Sequence, residues 1–169
     1  MMQEIIYELK PDLIIETGTY MSGSTLYYSH LCDLIGKGSV ITIDIEFREK
    51  RPIHPRFRYI LGSSVDPNVV RDVRKECGGK NTVLAVLDSS HYYEHVLKEI
   101  HAYSQLITKG SYLIVEDTAL HGNPLHPEGE ENPMKAVLEF MDGNKEFEYD
   151  KSRERFLMTW HPNGFLKKL

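Results

Sequence analysis

At 169 residues the chain has the length of one domain, long enough to bury a core without a disulfide or zinc staple. A net charge of −5, two isolated cysteines (Cys32 and Cys77), and the lack of a signal-peptide pattern or long apolar run argue against several classes. These are a nucleic-acid partner, a zinc ribbon or redox pair, a secreted protein and a membrane protein. The expectation is a cytoplasmic protein with one domain spanning 1–169.

Short β-rich runs alternate with helical patterns. Residues 12–16 form a short apolar run ending in Glu16, and 24–35 carry the apolar stripe of a helix. Residues 39–44 and 57–61 read as the second and third strands. Asp66-Pro67 is an N-cap and first-position proline that opens a helix to Cys77. Residues 82–87 are continuously apolar, as a strand buried on both faces should be. A helix over 92–106 and a strand over 111–115 follow. Strand–helix–strand units in series predict an α/β, doubly wound, mostly parallel sheet. Residues 118–132 read as a long loop of the kind that forms a lid, and Asn132-Pro133 opens a helix to about Met141. Asn163-Gly164 between the apolar runs 156–160 and 165–166 is a hairpin signal, so the sheet is predicted to end in antiparallel strands.

Gly18 and Gly23, just past the first strand, permit close backbone approach to a ligand, although a tight turn with no ligand would use glycine equally well. Ligands of such sheets sit at the carboxyl ends of the strands. Glu16 beside this loop would repel a dinucleotide pyrophosphate but suits S-adenosylmethionine (SAM), which carries an ammonium and a sulfonium. The G-x-G-x-x-G spacing of a dinucleotide loop is also missing. Asp44, ending the second strand, can accept from ribose hydroxyls, with Glu46 as the competing candidate. Glu16, Gly18, Thr19, Gly23, Ser24, Asp44, Ser63 and Asp88 are the candidate cofactor contacts.

The fourth strand ends in Asp88 and the fifth in Glu116-Asp117. If these strands are neighbours, the three carboxylates converge, and a hard divalent cation (Mg²⁺, Mn²⁺ or Ca²⁺) removes the cost of their repulsion. The bland alternative is three unrelated strand-end acids in solvent. His91, three residues past Asp88, is a candidate general base, or only a neighbour of the metal. His121 and His126 fall in the long loop, His30, His95 and His101 on predicted helices, and His54 and His161 before prolines. All seven read as weaker candidates.

The segments 10–19, 87–91, 110–118 and 162–166 resemble the cephalosporin hydroxylase family over nearly the whole chain. That family has the class I SAM methyltransferase fold, Rossmann-like, and includes rhamnosyl O-methyltransferases. The resemblance implies SAM at Glu16, Gly18 and Asp44, Mg²⁺ at Asp88, Glu116 and Asp117, and a base at His91. The chain opens almost at its first strand, without the helical stretch expected upstream, which leaves the substrate pocket and oligomeric state open, a homo-oligomer included. The function expected is methyl transfer to a hydroxyl of a small molecule. Three rivals are a non-catalytic SAM-binding module, an NAD-dependent oxidoreductase, and a hydroxylase. The hydroxylase would want two histidines and one carboxylate on non-haem iron, whereas the predicted cluster is all oxygen.

Overall fold

The computed structural model describes residues 1–120 and 132–169. Helix α1 (Met2–Leu9), not foreseen in the sequence, precedes strand β1 (Leu13–Thr17). Then come α2 (Gly23–Leu34), β2 (Ser39–Asp44), β3 (Phe57–Leu61), α3 (Pro67–Glu76), β4 (Val83–Leu87), α4 (Tyr93–Ser104) and β5 (Tyr112–Val115). The chain ends with α5 (Pro133–Met141), β6 (Phe147–Tyr149), a 3-10 turn (Lys151–Glu154) and β7 (Phe165–Lys168). Among the described residues the strands form one seven-stranded sheet in the order β3-β2-β1-β4-β5-β7-β6. The first five are parallel and β7 is antiparallel to both β5 and β6.

Alternation along the strands assigns two cores. Leu13, Ile15, Ile41, Ile43, Ala85, Leu87 and Val115 pack with Val73, Val96, Ile100 and Val137, from α3, α4 and α5. Ile14, Val40, Leu84, Val86 and Ile114 point the other way, against Ile5 and Ile6 of α1 and Tyr28 and Leu31 of α2. Strands β1, β4 and β5 are buried along their whole length, which is why they read as unbroken apolar runs. The N-caps expected of Asp66 and Asn132 are formed, each side chain accepting from a backbone N–H of the helix it opens.

The predicted C-terminal hairpin is corrected in one respect. Residues 156–160 form no strand, and Phe156, Leu157, Met158 and Trp160 are exposed. The partner of β7 across the outer edge is β6 instead, with Phe147 opposite Lys168. Asn163 does take the left-handed turn (φ 61°) that leads into β7. Most of the loop read as a lid, with His121 and His126, lies outside the described residues. Among those described, no helix is long and apolar enough to cross a membrane.

Candidate active site

A cavity of about 420 Å³ opens at the carboxyl tips of β1 to β4. Gly18 lines it from β1, Asp44, Ile45 and Glu46 from β2, Gly62 and Ser64 from β3, and Asp88, Ser89, Ser90 and His95 from β4 and α4. Its size is that of an ordinary cofactor or small-ligand site. Gly18 is required for a steric reason: at φ 87° a Cβ would lie 1.9 Å from the Asp88 carbonyl oxygen. The glycine loop is thereby pressed onto the tip of β4, where the Asp88 N–H donates to the Thr17 carbonyl at 3.0 Å.

Glu16 does not line this cavity. Its carboxylate is buried beneath the loop and accepts from the Thr25 hydroxyl and, at 2.6 Å, from the Thr42 hydroxyl. Thr19 and Thr42 join hydroxyls at 2.6 Å, so Thr19 belongs to the same buried network. Burial pushes the Glu16 pKa up, against the hydrogen bonds from Ser24, Thr25 and Thr42. Gly23 and Ser24 begin α2, and neither they nor Ser63 are among the lining residues, whereas the neighbouring Ser64 is. Asp44 lies in the wall with its oxygens engaged. Oδ2 accepts from the Tyr20 N–H at 2.7 Å and from Arg51 at 2.9 Å, and Oδ1 accepts from the Glu46 N–H at 2.9 Å. Arg51 also donates to the Tyr20 and Glu46 carbonyls, which folds the segment after β2 over the cavity's rim.

Beside the cavity the carboxylates gather. Ligand atoms of Asp88, His91 and Asp117 lie within 4.8 Å of one another, as do those of Glu116, Asp117 and His161. Asp117 is common to both groups and has a left-handed backbone (φ 57°), uncommon for a residue other than glycine. His91 Nε2 is 3.6 Å from Asp88 Oδ1 and 3.3 Å from Asp117 Oδ2, buried and without a hydrogen-bond partner. Interaction with Asp88 raises the His91 pKa against the opposing effect of burial, helped by the charge of Asp117. His161 Nε2 lies 2.9 Å from Glu116 Oε2, and its Nδ1 accepts from the Asp117 N–H at 3.0 Å. Burial disfavours a charged His161 ring, but Glu116 and the nearby Asp117 and Asp88 outweigh it and leave the pKa raised. The bond that Nδ1 accepts nevertheless favours the neutral ring with its hydrogen on Nε2, pointing at Glu116.

The expected meeting of Asp88, Glu116 and Asp117 is therefore mediated by Asp117, and the cluster is not all oxygen, because a histidine joins each group. A hard divalent cation fits these donors. Carboxylates dominate the set, and the orphaned His91 nitrogen faces the space between two of them. No two histidines converge with one carboxylate among the described residues, as a non-haem iron site would require.

His161 read only as one of the weaker candidates in the sequence, and the structure shows the missing signal. Strand β7 runs antiparallel to β5, so the residues just before β7 lie at the tip where β5 ends. A Cβ on Gly164 would sit 2.2 Å from the Val115 carbonyl, so glycine allows this approach, and Thr118 donates to the Pro162 carbonyl at 2.6 Å. His95, a weaker candidate on a predicted helix, lines the cavity.

Comparison with known proteins follows the same lines. The model of the rhamnosyl O-methyltransferase/CmcI family matches residues 1–169. Rhamnosyl O-methyltransferases of Mycobacterium bovis and Mycobacterium tuberculosis are each 35% identical over 176 residues, which cover 97% of this chain and 70% of theirs. Among solved structures, a CmcI structure with Mg and SAM superimposes with a TM-score of 0.74 at 18% identity, over 99% of this chain and 69% of that one. A MycE methyltransferase complex with Mg, SAH and mycinamycin VI gives 0.66 at 14% identity, over 99% of this chain and 47% of that one. At such identities the structural matches carry the fold alone. The full-length family match and the mycobacterial relatives carry more: the chain belongs to the rhamnosyl O-methyltransferase/CmcI family.

Proposed function

We propose that this protein is a SAM-dependent, divalent-metal-assisted O-methyltransferase that acts on a hydroxyl of a small molecule, a sugar or natural product. The observation that carries the reading is the carboxylate–histidine cluster of Asp88, His91, Glu116, Asp117 and His161 at the edge of a strand-tip cavity. The mycobacterial relatives are named for rhamnosyl O-methylation, which makes a sugar hydroxyl the first acceptor to test. The reading places the activity on one domain spanning 1–169, resident in the cytoplasm, and accommodates a homo-oligomer.

Within this reading the cavity takes SAM, which supplies the methyl group. Gly18 and Asp88 wall the cofactor, Asp44 accepts from its ribose, and Glu16 with Thr19, Gly23 and Ser24 builds the loop that holds it. Asp88, Asp117 and Glu116 hold the divalent cation, which when bound lowers the pKa of a hydroxyl beside it. His161 orients Glu116 by a hydrogen bond, and His91 takes the acceptor's proton at Nε2. Holding acceptor and donor in line accounts for much of the rate, on the order of 7–11 kcal/mol where positioning is good.

Calorimetric titration with SAM and with NAD, each with and without Mg²⁺, tests the reading. Binding of SAM together with Mg²⁺-dependent methylation of a sugar hydroxyl is expected. Binding of NAD and not SAM would remove it.

A further inference from the structure

Each histidine of the cluster has an exposed aromatic neighbour in the chain that none of the steps above uses. Tyr92 follows His91 and is 73% exposed, and Trp160 precedes His161 and is 49% exposed. Adjacent Cα atoms lie about 3.8 Å apart, so each ring is rooted at the rim of the cluster. In the sheet, β5 lies between β4 and β7. Tyr92 therefore stands on the β4 side of the β5 tip and Trp160 on the β7 side. Asp117, at that tip, contacts both neighbouring histidines.

The backbone around Trp160 is tied to the β5 tip. The Trp160 carbonyl accepts from the Ala119 N–H at 3.0 Å, and the Pro162 carbonyl accepts from the Thr118 hydroxyl at 2.6 Å. Between them the His161 N–H donates to the Thr159 hydroxyl at 3.2 Å. The His161 ring turns inward, edge-on to Phe165 at 5.9 Å and bonded to Glu116, while the Trp160 side chain keeps about half its surface in solvent. Trp160 also ends a run of exposed apolar residues, Phe156, Leu157 and Met158. A contiguous apolar surface left open beside a charged site marks a place that a ligand covers.

What such a ring would cover follows from the chemistry of the acceptor, and this step rests on the methyltransferase reading above. A sugar ring carries its hydroxyls around its edge and bare C–H groups on its faces. The carboxylate–histidine cluster suits the edge and offers the faces nothing. An indole offers a flat apolar surface whose negative face attracts C–H groups. We propose that Trp160 is the platform on which the acceptor's sugar ring stacks, with Tyr92 closing the opposite side. Fixed by one face, the ring cannot swing about the oxygens held at the cluster, so Trp160 sets which hydroxyl is presented for transfer.

Trp160 is the one tryptophan of the sequence, so tryptophan emission reports on this position alone. The full chain, loaded with Mg²⁺ and S-adenosylhomocysteine, is titrated with methyl α-L-rhamnoside. The emission should shift to the blue and its quenching by acrylamide should fall, because a stacked sugar shields the indole from water. In turnover with SAM, Trp160→Ala should raise KM for the rhamnoside roughly tenfold, and Trp160→Phe, which keeps a ring, should recover most of that loss. The Mg²⁺ affinity of both variants, measured by calorimetry, should stay native, which shows that His161 still holds Glu116. If melting curves show that Trp160→Ala fails to fold, the fluorescence of the native protein and the KM of Trp160→Phe decide the matter. Quenching that does not change at rhamnoside concentrations saturating turnover, an unchanged KM in Trp160→Ala, or a KM rise matched by lost Mg²⁺ affinity would overturn the inference. A native protein that methylates no rhamnoside hydroxyl would instead remove the sugar-acceptor reading, and this inference with it.

Discussion

At the tips of β1 and β2, the carboxylates of Glu16 and Asp44 are met by donors from the chain itself: threonine hydroxyls for Glu16, backbone N–H groups and Arg51 for Asp44. At the tips of β4 and β5, Asp88 and Asp117 face a histidine nitrogen that has no hydrogen-bond partner, and Asp117 is shared with a second group. The first region is organised by its own hydrogen bonds. The second gathers like charge around shared donors, and such an arrangement gains most from an added cation. A prebuilt cradle next to a site completed by its ligand suits a protein that must hold one reactant and activate another.

Substitutions in the second region should have the largest functional effects. Asp117→Ala removes the member common to both groups, and Mg²⁺ or Mn²⁺ affinity measured by calorimetry should fall at least roughly a hundredfold, with methylation lost. An unchanged cation affinity would break the comparison. His161→Ala should leave Glu116 unoriented and weaken the cation by roughly 10–100-fold, the usual cost of losing a supporting partner of a ligand. In the first region the largest effect should be on stability. Gly18→Ala forces a Cβ against the Asp88 carbonyl at positive φ and should cost about 2–4 kcal/mol in urea unfolding. Arg51→Ala should be milder, releasing Asp44 and changing SAM affinity by about tenfold or less.

The smallest effect expected is a pH dependence. Burial raises the Glu16 pKa from its ordinary value of 4.5. A carboxyl raised on folding contributes stability below its unfolded pKa and loses that contribution as pH rises through the folded value. The stability of Glu16→Gln relative to the native protein should therefore shift in favour of the variant between pH 4 and pH 7. Thermal melts at the two pH values measure the difference, and a shift in the opposite sense would show that Glu16 is held as a stabilised carboxylate.

Much of this molecule was readable from local pattern. Strands β2 and β3 have the predicted bounds, and the other parallel strands and helices α2 to α5 agree to within a few residues, because burial periodicity and caps such as Asp66-Pro67 are short-range properties; α1 was not foreseen. The same pattern located Asp88, Glu116 and Asp117, since neighbouring parallel strands end on one rim. What each acid touches was not readable. Glu16 sits beside the glycine loop in sequence, yet Thr42 from β2 and Thr25 from α2 take its carboxylate beneath that loop.

The sequence by itself determined the order of elements from β1 to β5, the mostly parallel sheet and the rim that carries the acids. Tertiary structure decided that His161, 44 residues beyond Asp117, joins the cluster, and that His95 lines the cavity. The physical reason is that propensity and hydrophobic period act over one or two turns of chain. The partner of a buried polar group is chosen among whatever the fold brings within about 3 Å, from any distance in sequence.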